Sequence, residues 1–258
     1  MPAPPDKKPS SPLNVLVIGA TGNCGRRLVT AGLHAGHTVT VLVRDLDKLA
    51  DKLGTGVCDR LQIITGDVMD APAVAGAMAG QDAVINAAGN VDDGSAFAQL
   101  IDLVVSQAEN VLGENGRLWI FGGAAALDVP GTDIAGVDLP KVPAKYKTHQ
   151  INYRRLRASN LDWSMICPGP LIPAEGGLGR DDLRISVDIW PFDRPKLTHF
   201  LPRIALSAAF AAHVGEMIVT YEDIARVIIK HLAPDGPFNR RRVGLALPQG
   251  ERGKKPGY

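Results

Sequence analysis

Along most of the chain, short runs of β-branched and aliphatic residues alternate with longer stretches in which apolar positions recur every three or four residues. The short runs are Leu13 to Ile18 (LNVLVI), Thr38 to Val43 (TVTVLV), Leu61 to Thr65 (LQIIT), Asp82 to Ala87 (DAVINA), Arg117 to Phe121 (RLWIF) and Asp162 to Cys167 (DWSMIC). Most are almost wholly apolar rather than alternating, the pattern of strands buried on both faces. Helical spacing fills the gaps over Cys24 to Ala35, Ala71 to Ala79, Ala96 to Leu112 and Lys145 to Ser159. Strands that alternate with helices in this way predict an α/β fold, a doubly wound parallel sheet covered on both faces. No internal repeat is visible, which excludes solenoids and propellers.

From Gly169 to about His213 the alternation breaks down, and prolines, glycines and charges accumulate in PGPLIPAEGGLGRDDLRISVDIWPFDRPKL. Such a stretch after the sixth strand lies beyond the carboxyl ends of a doubly wound sheet, so it is expected to be a small irregular segment covering a substrate. Trp190, Phe192 and Phe200 in it either line an apolar pocket or anchor the segment to the body. Thr220 to Leu232 then reads as a helix with Thr220 as N-cap and acidic residues in its first turn, and Arg241 to Leu247 as a last strand. Residues 13–250 are expected to form one domain, with polar tails at 1–12 and 251–258 expected to be disordered.

Charge changes the picture by exclusion. Lysine and arginine number 28 against 27 acidic residues, so no global field favours nucleic acid or an anionic membrane. There is no signal peptide pattern and no apolar run long enough to cross a bilayer. Cys24, Cys58 and Cys167 are scattered, without metal-site or disulfide spacing, which fits a reducing cytoplasmic setting and no metal. His199 and His213 likewise lack ligand spacing.

The strongest chemical signal is VLVIGATGNCGRRL. Gly19, Gly22 and Gly25 follow a buried strand and open a helix. The first permits a tight turn, the second clears space for a pyrophosphate, and the third lets helix and strand approach. Orphan amides and the helix dipole then face the anion. Gly19, Thr21, Gly22, Asn23, Cys24 and Gly25 are therefore the expected cradle of a dinucleotide, and the fold is a Rossmann fold. The second strand ends in Val43 and Arg44, where NAD-specific folds place a carboxylate. A guanidinium there can clamp a 2′-phosphate, so NADP(H) is expected over NAD(H), although Asp45 stands beside it and a solvated surface arginine is the plain alternative. Asp67 and Val68 follow the third strand at the adenine edge. Ala87, Ala88 and Gly89 end the fourth strand with room for ribose and nicotinamide, or serve close packing alone.

At GATGNCG, VLVRD, GDVMD, AGQDAVINAAG and LRASNLDWSMICPGPL, in that order, the chain resembles the short-chain dehydrogenase/reductase superfamily, specifically its atypical NmrA-like branch. Within it the chain is most similar to proteins of the biliverdin reductase B and flavin reductase type and the bacterial NADH-flavin reductases. The resemblance covers about Leu13 to Ile172 and implies NAD(P) binding, with Gly122, Gln150 and Pro168 on the nicotinamide side. It implies little about substrate.

Departures from the family pattern fall on the proton relay. The serine or threonine expected after the fifth strand is replaced by Gly122, Gly123 and Ala124; Gln150 stands four residues after Tyr146, where Tyr-x-x-x-Lys has its lysine, while counting back from CPGPL puts either His149 or Gln150 at the lysine place. Glutamine can hold a ribose but brings no charge to lower a phenol pKa. Tyr146 remains a candidate acid, and His149 and Tyr153, four apart on one helix face, are candidates to hydrogen-bond an acceptor; a helix surface without chemistry is the alternative. Reduction of a flavin, quinone or similar conjugated acceptor needs little more than stacking on the nicotinamide. The sequence thus points to an NADPH-dependent reductase acting on a small molecule, as monomer or homodimer. The alternatives are a non-catalytic NADP-sensing regulator, or a reductase, isomerase or epimerase of a specialised metabolite.

Overall fold

A computed structural model describes residues 11–177, 179–192 and 202–255. All six expected strands form: β1 (Asn14–Ile18), β2 (Thr38–Val43), β3 (Gln62–Thr65), β4 (Ala83–Asn86), β5 (Arg117–Phe121) and β6 (Asp162–Cys167). With β8 (Arg184–Val187) and β10 (Arg241–Ala246) they make one sheet in the order β3-β2-β1-β4-β5-β6-β10-β8. Every neighbouring pair is parallel except β10 with β8. The direction of winding reverses between β1 and β4, and the crevice outside their carboxyl ends is where such sheets bind ligands.

Side-chain alternation splits the core in two. Leu16, Ile18, Val84, Leu118 and Ile120 point to the face covered by α4 (Ala71–Met78), α5 (Ser95–Leu112) and α6 (Lys147–Arg157). Val15, Val17, Val41, Ile85 and Trp119 point to the other, under α1 (Asn23–His34) and α8 (Tyr221–Lys230). The period of two in each strand therefore serves both layers, which is why the strands read as unbroken apolar runs. At the amino end of β5 and β6, Arg117 and Asp162 are both fully buried and paired at 2.8 Å. Arg117 also donates to Ser164 Oγ and to the His231 carbonyl, and Asp162 accepts from the Asp235 amide.

Several expectations need correction. The stretch from 169 to 213 is more regular than its composition suggests. It contains β7 (Leu171–Ile172), paired with β9 (Val219–Thr220), the antiparallel edge strand β8, and α7 (Arg203–His213). β8 alternates half-buried and exposed residues because it lies at the sheet edge, and α7 follows from its alanines. Trp190 and Phe192 are buried, stacked on each other and, for Phe192, on His213, so they anchor this segment. Phe200 and His199 lie outside the described residues, as do most of the amino-terminal tail and residues 256–258. The closing tail does not begin at 251: Glu251 pairs with Arg180, and the Gly253 amide donates to the Gly215 carbonyl at 2.8 Å. α2 (Leu46–Leu53) and the single turn α3 (Thr55–Cys58) were not anticipated; α2 is capped by Asp45, whose carboxylate accepts from the Lys48 amide. α6 begins at Lys147, with a 3₁₀ turn over Ala144–Tyr146 before it. The Thr220 cap holds as a reciprocal capping box with Asp223.

Candidate active site

The turn between β1 and α1 is built by what its glycines exclude. Gly19 has φ +85°, and a Cβ on it would lie 2.7 Å from the backbone of Ala87 and Ala88 at the end of β4. The turn therefore touches β4 at the switch point. A Cβ on Gly25 would come to 2.0 Å from the Gly19 carbonyl oxygen, so this glycine brings α1 down onto the turn itself. A Cβ on Gly22 would meet only that same oxygen, at 3.2 Å, and otherwise faces open space. No side chain caps α1, which leaves its first-turn amides for an anion. These residues fit the pyrophosphate of a dinucleotide.

Around the turn, Asn23 accepts from Arg26 at 2.9 Å, and its amide nitrogen reaches the Tyr221 hydroxyl at 3.5 Å. Arg26 was not singled out from sequence, although it directly follows the last glycine. It adds a positive charge one turn into α1. Burial pushes the Cys24 thiol up to about 12, against the Arg27 charge and together with the Glu222 charge. Cys24 is thus a neutral filler of the turn.

At the other end of the crevice the structure brings Arg44 and Asp67 together, 3.5 Å apart and largely exposed. The other Asp67 oxygen accepts from the Met69 amide at 2.8 Å. The carboxylate that shares Arg44 is therefore Asp67 of the β3 loop, while Asp45 is spent on α2. Val68 packs against the core beneath.

The side of the crevice that the sequence assigns to the nicotinamide is assembled from the ends of β4, β5 and β6. Buried Asn86 exchanges hydrogen bonds with the Ala88 backbone and so fixes the loop after β4. Gly89 has φ +104°, and a Cβ on it would strike the Phe97 ring at 2.4 Å. The Gly122 amide donates to Ile166, and the Ala124 amide to Pro168, closing the β5 and β6 loops on each other. Gly123 faces α6: a Cβ there would stand 3.0 Å from His149 Nε2.

His149 is buried between rings, with Tyr146 stacked at 6.2 Å and 13° and Phe97 edge-on at 5.9 Å. Burial lowers its pKa to about 4, so the imidazole is neutral at pH 7. Its Nδ1, the Gln150 carbonyl oxygen and both amide atoms of Asn152 are buried without a hydrogen bond among the described residues. Lys145 stands 5.5 Å from the Tyr146 ring centre and pairs with Asp92.

Tyr153 is not gathered with this group. Its ring lies under the Arg242 guanidinium at 4.2 Å and edge-on to Trp163 at 5.8 Å, and burial pushes its phenol pKa up, with the Arg242 charge opposing. Arg242 in turn holds Asp128 in two-pronged fashion and bonds the Ala126 carbonyl, so it secures the loop that follows Gly123. Beyond the start of α6, a groove of about 570 Å³ runs between Ile134, Val137, Leu139, Lys141, Lys147 and Arg203. Its lining includes Ala144 and Lys147 and none of the glycine-turn residues. Among the described residues there is no cluster suited to a metal and no helix long and apolar enough to cross a membrane.

The profile of the NAD(P)H-binding family matches residues 19–182. Among solved structures, the chain is 26% identical to a Burkholderia pseudomallei protein described as exported, over 91% of this chain and 99% of that one, with a TM-score of 0.63. It shares its fold with a Streptococcus pneumoniae TIGR4 protein described as an NADH-flavin reductase (22% identity, 91% and 99% covered, TM-score 0.66). The same holds for an anaerobilin reductase of Escherichia coli O157:H7 (19% identity, 92% and 98% covered, TM-score 0.62). A curated relative, the photosystem II assembly factor Ycf39 of a Synechocystis species, is 37% identical over 75 residues, 29% of this chain and 22% of that relative's length. Because the family profile spans the glycine turn and strands β2 to β6, whose ends form the crevice, the chain belongs to the NAD(P)H-binding family, with a doubly wound Rossmann fold.

Proposed function

We propose that this oxidoreductase uses NADPH to reduce a planar conjugated acceptor, such as a flavin or quinone, without the serine, tyrosine and lysine relay. The observation that carries the reading is the contrast within one crevice. The glycine turn with its uncapped α1 amides, and Arg44 at the end of β2, suit a dinucleotide, while position 123 has no hydroxyl and position 150 no cation. When bound, the cofactor supplies a hydride and so two electrons. The chain's own residues bind and orient. Gly19 to Gly25 and the α1 amides hold the pyrophosphate, with Thr21, Asn23 and Cys24 forming the rim. Arg44, beside Asp67 and Val68, takes the 2′-phosphate and adenine end. Ala87 to Gly89, Gly122, Gln150 and Pro168 flank the nicotinamide ribose and ring. Tyr146 and His149 present polar edges on the acceptor side, Tyr153 stands apart beneath Arg242, and the proton comes from solvent. An acceptor that delocalises its new charge asks no more of the protein than this alignment.

The test is NADPH consumption by the full chain against FMN, menadione and biliverdin, with NADPH fluorescence recorded to establish binding. Turnover above the protein-free blank that survives Tyr146→Phe is the expected result. A large loss in that variant contradicts the solvent-supplied proton. NADPH binding with no turnover on any acceptor favours a non-catalytic NADP-sensing role, to which the partial likeness to an assembly factor also lends support.

A further inference from the structure

Position 123 and α6 share one volume. A Cβ on Gly123 would lie 3.0 Å from His149 Nε2 and 3.1 Å from its Cδ2. Those distances are tighter than ordinary van der Waals contact, so a side chain at 123 requires the imidazole to give by a few tenths of an ångström. The missing side chain is thus matched by an intruding one: the ring of His149 reaches toward the β5 loop, where the resemblance leads one to expect a hydroxyl.

The ring is held in one orientation. Tyr146 lies parallel to it and Phe97 meets it edge-on, and at 6% exposure it has little freedom. Its two nitrogens differ. Nδ1 is buried and makes no hydrogen bond among the described residues, whereas Nε2 is the nitrogen directed at Gly123. A buried N–H without an acceptor is rarer and costlier than a bare lone pair. The tautomer that leaves Nδ1 bare and puts the proton on Nε2, toward Gly123, is therefore favoured. A neutral imidazole in that state is a fixed hydrogen-bond donor that need not ionise, the kind of preorganised group that stabilises charge as it develops.

We propose that His149 is the hydrogen-bond donor to the acceptor, taking the place of the serine side chain absent at position 123 by presenting Nε2–H to the oxygen or nitrogen on which negative charge develops. This rests on the reductase reading above. A hydride passes with its electron pair from the dihydronicotinamide carbon to the acceptor, breaking one C–H bond and forming one new bond to hydrogen. The acceptor's charge builds against Nε2–H, and a water proton neutralises it. His149 keeps its own proton throughout.

Two experiments on the full chain test this. In the first, protein labelled with ¹⁵N-histidine is followed by NMR, with His149 assigned by its loss in His149→Ala. The expected spectrum is a neutral ring with hydrogen on Nε2, whose Nε2 resonance moves when FMN is added to the NADP⁺-loaded protein. Hydrogen on Nδ1, or an Nε2 resonance that FMN leaves in place, overturns the assignment whether or not the protein turns over. In the second, NADPH consumption with FMN is compared across variants. His149→Ala is expected to lower kcat about 10- to 100-fold with NADPH KM changed less than about twofold. Gly123→Ser is expected to be harmful alone, yet to recover about tenfold when added to His149→Ala. An unchanged kcat in His149→Ala, or no recovery in the double variant, overturns the proposal. A wild-type protein that consumes no NADPH with FMN, menadione or biliverdin instead defeats the reductase reading, and the NMR result then decides the place of His149.

Discussion

Arg44→Ala separates a phosphate clamp from a surface charge. The guanidinium is 75% exposed on its side chain and 3.5 Å from one Asp67 oxygen. A hydrogen-bonded charge pair with a 2′-phosphate contributes about 1.5–3 kcal/mol in a sheltered site, and exposure moves that toward the lower end. Asp67 also competes for the same cation, and two charges 3.5 Å apart in water interact by about 1 kcal/mol. The net expectation is a loss of about 1–2 kcal/mol, which is about a 5- to 30-fold rise in NADPH Kd. NADH lacks the 2′-phosphate, so its Kd should change less than about twofold. Fluorescence titration of both nucleotides at low and high salt measures this directly, and the NADPH preference of the wild type should shrink as salt screens the pair. Asp67→Asn is the converse, expected to tighten NADPH a few-fold while leaving NADH alone. If Arg44→Ala leaves the ratio of the two affinities unchanged, the 2′-phosphate is not held at this strand end and the NADPH assignment is wrong.

Gly25→Ala forces a methyl to 2.0 Å from a backbone oxygen, so the turn must open; NADPH affinity measured by the same titration should fall by more than about tenfold. Retained affinity would mean that the turn is not the phosphate site. Asp162→Ala leaves the fully buried Arg117 without its carboxylate. This should cost about 3–5 kcal/mol, a Tm lower by about 6–20 °C, with NADPH affinity at 25 °C preserved because the pair sits at the opposite end of the sheet. A Tm within about 2 °C of wild type contradicts this account of the buried pair. For His149, the pKa is about 4 folded against 6.5 ordinarily, so the unfolded chain binds more protons between those values. The stabilising contribution of the neutral ring is complete above pH 6.5 and is lost as pH falls toward 4. Relative to His149→Gln, wild-type Tm should drop across that window and run parallel above it. Parallel curves throughout would place the imidazole in solvent.

The parallel strands and the glycine turn were legible because strands buried on both faces must be apolar at every position, and because a turn touching β4 admits only glycine at 19. Arg44 was legible from its place at the end of β2; its sharing with Asp67 was not, since that contact joins two loops 23 residues apart. β8 was hidden because an edge strand buries only every second residue, so Arg184 to Val187 looked like a charged loop. α2 carried a readable signal in Asp45 followed by Leu46, Leu49 and Leu53, but at eight residues it is too short for its spacing to stand out. The helical spacing of His149 and Tyr153 placed them on one face, but neighbours decide what a face does. His149 meets Gly123 and two rings, whereas Tyr153 is covered by Arg242 from a strand nearly ninety residues on. The absent hydroxyl at 123 was visible in the sequence, and the approach of His149 to that position became visible only in three dimensions.

The most direct test of the account is the rate of NADPH oxidation by the full chain with FMN, menadione and biliverdin, read beside NADPH binding on the same sample. The account predicts bound NADPH and turnover above the protein-free blank with at least one of these acceptors. Bound NADPH with no turnover on any of them contradicts it.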